Sequence, residues 1–176
     1  MSELKNTFLH KELWILTFGA AFQRSNVYKK NIPETFRKNY RTMLSEYVEN
    51  VILPKYKKEI SEEQHIENIF LIIKFSESYE SMLNDGKMNL GISQKLLNLH
   101  LKYLWCLGEI TIPPPHFPLD RIIQQKSIRN RPIISWTQIK DVETYLSIIN
   151  QAREKATAQN KSLAQWELEN YSRNGL

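Results

Sequence analysis

At 176 residues the chain can build one domain with a real core, or two very small ones. Its single cysteine, Cys106, excludes an internal disulfide framework, a cysteine-rich zinc site and a four-cysteine iron–sulfur cluster within one chain. A formal charge of +5 and a pI near 9.2 lean toward an anionic partner such as nucleic acid.

The N-terminus lacks the basic-then-apolar order of a secretory signal. The most apolar run, residues 13–22, is shorter than the roughly 20 residues needed to span a bilayer. A cytoplasmic protein with no membrane contact is expected. Residues 13–22 are apolar nearly all round and predict a buried helix. Pro33 is placed like a first-turn proline. Beyond it Phe36, Tyr40, Met43, Leu44, Tyr47, Val48 and Val51 recur at helical spacing, opposite Arg37, Lys38, Arg41 and Glu46. Pro54 ends or kinks that helix.

Ser61 and Gln64 have capping-box spacing and open a helix with Ile66, Ile69, Phe70 and Ile73 on one face. Asn84, Asp85 and Gly86 signal a turn. Next, Leu96, Leu97, Leu99, Leu101, Tyr103, Leu104 and Leu107 cover most of a helix circumference, the pattern of a central helix, with Gly108 as a C-terminal cap. Residues 113–118, rich in proline, form an extended loop. Asp120 has the place of an N-cap for a short helix through Ile122 and Ile123. Val142, Tyr145, Leu146 and Ile149 mark another helix, and Ser162 with Gln165 gives a second capping box. No sustained period-2 pattern, internal repeat or low-complexity linker interrupts the series. The expected fold is all-α, a single compact helical domain over residues 1–176.

At Leu90-Gly91-Ile92-Ser93-Gln94-Lys95 the chain resembles the hairpin of the helix-hairpin-helix DNA glycosylase superfamily, usually L-P-G-V-G-x-K. Gly91 and Ile92 match the first Gly-Val. Ser93 stands for the second glycine, Leu90 holds the proline position, and Lys95 falls on the catalytic lysine. That family follows its hairpin with an apolar helix and a short P-V-D motif, and here Pro118, Leu119 and Asp120 occur in that order. Upstream, Gln23, Ser25, Asn26 and Val27 are similar in order to a motif that ends an early buried helix in the endonuclease III branch. The resemblance spans residues 13–123.

The resemblance implies double-stranded DNA as partner, no cofactor, and a glycosylase with AP-lyase activity. Lys95 would be the amine nucleophile on the sugar C1′, and Asp120 the carboxylate that assists it or stabilises the cationic sugar. Gly91 and Ser93 would lie on a DNA phosphate at a helix N-terminus. Gln23 would probe the gap left by a flipped nucleotide. Lysine beside a helix N-terminus and an apolar core is placed to favour the free amine.

Duller readings stand beside these: a solvated lysine, an ordinary N-cap, a surface glutamine and a loop glycine. A non-catalytic helical module that grips DNA or a protein is the alternative on the same fold. An unrelated helical interaction protein is the third. His10, His65, His100 and His116 make no metal-ligand pair at helical spacing, so no metal is expected. Cys106 is expected to be a buried small apolar residue. Trp105, Trp136 and Trp166 read as core. Lys29, Lys30, Arg37, Lys38 and Arg41, with Arg129 and Arg131, form either a DNA-facing surface or a solvated face. A monomer is expected.

Overall fold

Among the described residues seven α-helices follow one another, with no β-strand and only an isolated bridge between Tyr28 and Leu83. The computed structural model describes residues 3–23, 25–127 and 132–172. They form the expected all-α domain around one continuous core running from Leu13 to Trp166.

Helix α1 spans Glu3–Phe22 and presents Leu13, Trp14, Thr17, Phe18 and Ala21 inward. The expectation of an all-round buried helix is corrected here: Ile15 is 62% exposed and Leu16 48%. The uncharged stretch of α1 therefore has one packed face and one open face. Helix α2, Glu34–Tyr47, starts after Pro33, which occupies the N-cap position rather than the first turn. Only Tyr40, Leu44 and Val48 of its apolar stripe are fully packed, while Phe36, Met43 and Val51 are exposed. A π-turn over Val48–Ile52 and a 3-10 turn over Leu53–Lys57 follow, the latter with Pro54 in its first turn, where no amide hydrogen is required.

Helix α3, Glu62–Glu77, opens with the Ser61/Gln64 capping box. After a turn in which Gly86 takes φ of 72°, helix α4 spans Leu90–Cys106. Thirteen of its seventeen residues are buried, against α1 on one side and α3 on another, which makes it the central helix. Gly108, at φ of 76°, ends it as a left-handed cap residue. Cys106 in its last turn is exposed, contrary to the expectation of burial, because the last turn reaches past the core edge. The 113–120 segment runs extended to the short helix α5, Arg121–Ser127. Helices α6, Val142–Thr157, and α7, Leu163–Asn170, close the domain, α7 through the second capping box. No helix among the described residues is long and apolar enough to cross a membrane.

Candidate functional site

The local sequence explains why Lys95 and Asp120, 25 positions apart, meet. Gln94, next to Lys95, is fully buried on α4. Its side-chain amide pairs with the peptide group of Leu119, next to Asp120: Leu119 N–H donates to Gln94 Oε1 at 3.1 Å, and Gln94 Nε2 donates to Leu119 O at 3.1 Å. Four residues on, Asn98 Nδ2 donates to Phe117 O at 3.0 Å. Two amide side chains one helical turn apart thus hold the extended segment along α4. Asp120 Oδ1 then accepts from the Ile122 and Ile123 amides at 2.9 and 3.1 Å, capping α5 as expected. Its other oxygen, Oδ2, lies 3.8 Å from Lys95 Nζ. That is an ion-pair distance, longer than a hydrogen bond.

The lysine is bracketed. Its Nζ sits 4.4 Å from the centroid of the Trp136 ring, within cation–π range, and its side chain is 11% exposed beside Asp120 at 14%. Two turns further along the same face of α4, Lys102 repeats the arrangement. Its Nζ lies 2.7 Å from Glu167 Oε2 and 4.6 Å from the Tyr171 ring centroid. Burial pushes the Glu167 carboxyl up in pKa; Lys102 pulls it back, and the nearby Asp120 charge raises it further. Lys95, Asp120, Glu167 and Lys102 therefore form one electrostatically linked strip. Sequence reasoning found the first two and missed Glu167, Lys102 and the covering role of Trp136. The seven-residue spacing of the lysines on one helix face was the available signal.

Behind the strip lies a buried polar network. His116 is paired through Nε2 with Glu62 at 2.8 Å and through Nδ1 with the Tyr145 hydroxyl at 2.9 Å. Asn98 Nδ2 also donates to that hydroxyl, at 3.0 Å. The ring of His65 meets that of His116 edge-on at 4.6 Å, and the Tyr56 hydroxyl lies 2.7 Å from His65 Nδ1. Glu62 further binds Arg153. Glu62 is held down at about 2 by its hydrogen bond from His116, helped by Arg153 against its partial burial. Burial pushes His65 well below its ordinary pKa, and lowers His116 too, although Glu62 opposes this. An ionised Glu62 facing a neutral His116 puts the ring hydrogen on Nε2, leaving Nδ1 to accept from Tyr145. This network ties α3, α4, α6 and the 113–120 segment together and so fixes where Asp120 stands. His116, on the non-helical 113–120 segment, is its buried keystone.

Gly91 and Ser93 do not lie on an open hairpin. Both are in the first turn of α4, and the 136–139 segment packs directly on Gly91. Gly91 N–H donates to Ile139 O at 2.9 Å. A Cβ at position 91 would overlap the Trp136 carbonyl oxygen and stand 2.8 Å from its carbon, so glycine is required there by close packing rather than by a positive φ. Asn89 caps the helix, accepting from Ile92 N–H at 2.9 Å and donating to Thr137 O at 2.8 Å. Ser93 is fully buried, with its hydroxyl unpartnered among the described residues. In this conformation both positions lie behind protein, away from a phosphate.

Gln23 is exposed at the end of α1 and lines a groove between α1 and α2, to which Lys95 and Asp120 do not contribute. Arg37 lies over the Tyr28 ring at 5.1 Å, Arg41 pairs with Glu34 at 2.5 Å, and Lys29 donates to Glu80 O at 3.0 Å. The expected basic surface is thus on the α1–α2 side. Arg129 and Arg131 lie outside the described residues. Comparison of the chain with protein families, with curated proteins and with solved structures finds no match.

Proposed function

We propose that the protein acts on DNA through Lys95, as a glycosylase and AP lyase of helix-hairpin-helix type. One observation carries the reading: Lys95 and Asp120, far apart in sequence, converge to 3.8 Å at the start of α5. The buried Gln94–Leu119 pairing holds the two near-buried side chains in register.

In this reaction Asp120 takes a proton from the Lys95 ammonium. The free amine attacks C1′ of an extruded nucleotide, and the bond from C1′ to the base breaks, the base leaving with a proton. The sugar ring opens to an iminium on Nζ. Loss of a C2′ proton expels the 3′ phosphate, and water releases the lysine. Trp136, lying across Nζ, has to swing aside to admit the sugar.

A specific observation favours a second reading, a non-catalytic helical module. The Gly91 amide is taken by Ile139 O and the Ser93 side chain is buried, which makes the hairpin-like stretch a packing device. Strand nicking separates the two. Duplexes carrying an abasic site, uracil, oxidised guanine or an oxidised pyrimidine are incubated with wild type, Lys95→Gln and Asp120→Asn. The lyase reading expects a nick on at least one duplex, absent in Lys95→Gln and reduced on the order of 100-fold in Asp120→Asn. Binding without nicking on every duplex supports the module.

A further inference from the structure

A groove of about 1430 Å³ runs between α1 and α2, away from the lysine strip. Its floor is apolar and aromatic: Trp14, Phe18 and Phe22 on α1 lead to Tyr28, with successive ring centroids 5.4, 5.2 and 5.8 Å apart. Ile15, 62% exposed, forms a rim. The walls are two antiparallel helices. Trp14 Nε1 donates to Glu49 Oε1 at 2.6 Å beyond the C-terminal end of α2, while Arg37 stacks on Tyr28 near its N-terminal end. The two walls face each other from the Trp14–Glu49 pair to Phe22, Tyr28 and Arg37, about 12 Å along α1, and the α1 wall continues toward Glu3.

Charge is sorted along this trough by the α2 side. Arg37, Lys38 and Arg41, the last paired with Glu34, stand at one end, Thr42 and Ser45 are neutral in the middle, and Glu46 and Glu49 stand at the other end. The α1 side adds Glu3 and Lys11, which offset each other. At the basic end, Arg37 Nε is buried without a hydrogen-bond partner among the described residues. At about 1430 Å³ the groove is larger than a typical small-molecule pocket. Its apolar floor and opposed charged ends match an α-helix with a leucine-type stripe, acidic in its first turns and basic in its last. That order also suits the occupant's own macrodipole.

We infer that the α1–α2 groove docks an amphipathic helix of a partner protein, its acidic N-terminal turns against Arg37, Lys38 and Arg41 and its basic C-terminal turns against Glu46 and Glu49. The helix runs parallel to α2. The site is independent of the Lys95 chemistry.

The test uses two labelled synthetic helical peptides, each about 18 residues long, with leucines at i, i+3, i+4 and i+7 spacing. One is acidic first and basic last; its twin has the charges exchanged. Fluorescence anisotropy is read on the full chain, with circular dichroism melts to verify that each variant folds. The acid-first peptide binds at least ~10-fold tighter than its twin. Arg37→Glu with Lys38→Glu reverses that preference, and Ile15→Glu weakens the acid-first peptide ~10-fold. Equal binding of the twins, a preference unmoved by the charge reversal, or no binding of either peptide overturns the proposal. Sedimentation as a dimer that Ile15→Glu abolishes would assign the groove to a second copy instead. Displacement of the acid-first peptide by a single-stranded oligonucleotide would assign it to nucleic acid. Either result also overturns the proposal.

Discussion

Gly91 illustrates how a single missing methyl group shapes the candidate site. The Trp136 carbonyl lies where its Cβ would be, and Ile139 takes its amide hydrogen. Gly91→Ala must push the 136–139 segment outward, carrying Trp136 off Lys95. A loss of about 3 kcal/mol or more is expected in urea denaturation, large for one methyl group. An unchanged midpoint would mean that the segment does not pack as described. Lys102 is the second informative residue. Lys102→Met leaves the Glu167 carboxylate, 1% exposed, without its cation and is expected to cost roughly 3 kcal/mol. Pairing it with Glu167→Leu should restore much of that loss, since two apolar groups replace two charges. Equal destabilisation in the double variant would show that the strip is held by its charges rather than by packing.

At the scale of elements, α4 organises everything else. Its apolar residues pack α1 and α3, its amides Gln94 and Asn98 hold the 113–120 segment, and its two lysines define the strip. The helices, both capping boxes, the Asp120 cap and the Gly108 stop were legible in the sequence, because spacing and cap chemistry are local. The open face of α1 was not, since an uncharged run gives no sign of which side lacks a neighbour. The site was legible only in part. Lys95 and Asp120 stood in recognisable motifs, whereas Glu167 arrives from a helix some 70 positions away from Lys95 and Gln94 looked like an ordinary polar residue. The reading of Gly91 as a phosphate-contacting turn met a packing reason instead, because glycine serves both purposes equally well. Gln94→Leu tests the organising role. It strands the Leu119 amide and carbonyl and is expected to cost about 2–3 kcal/mol, with a larger fractional loss in any Lys95-dependent activity than Gly108→Ala at the far end of α4. Equal effects on activity would detach Gln94 from the site.

For the whole molecule, three buried histidines set the response to acid. Burial lowers His65 and His116, and pushes His100, which stacks on Trp14 at 3.8 Å, down to about 3. Each is neutral in the fold and protonates near 6.5 once unfolded. Below that pH the unfolded chain binds protons that the native chain does not, so stability falls as pH drops from about 6.5. The slope is as much as ~1.4 kcal/mol per pH unit for each histidine. Glu62, held at about 2, adds to the loss between about 4.5 and 2, where the unfolded carboxylate protonates first. Glu167, raised by burial, works in the opposite sense. Urea midpoints at pH 7.5 and pH 5 are expected to differ markedly, the lower pH being the less stable. Equal midpoints would place these histidines in contact with solvent.

The central claim is that Lys95 is a nucleophile. Borohydride trapping addresses it most directly: the full chain is reduced with duplexes carrying an abasic site or a damaged base, and the covalent adduct is digested and mapped by mass spectrometry. Lys95 chemistry predicts an adduct on the peptide containing Lys95, absent in Lys95→Gln and retained in Lys102→Gln. No adduct on any duplex, or one that maps to Lys102 or persists in Lys95→Gln, would contradict it.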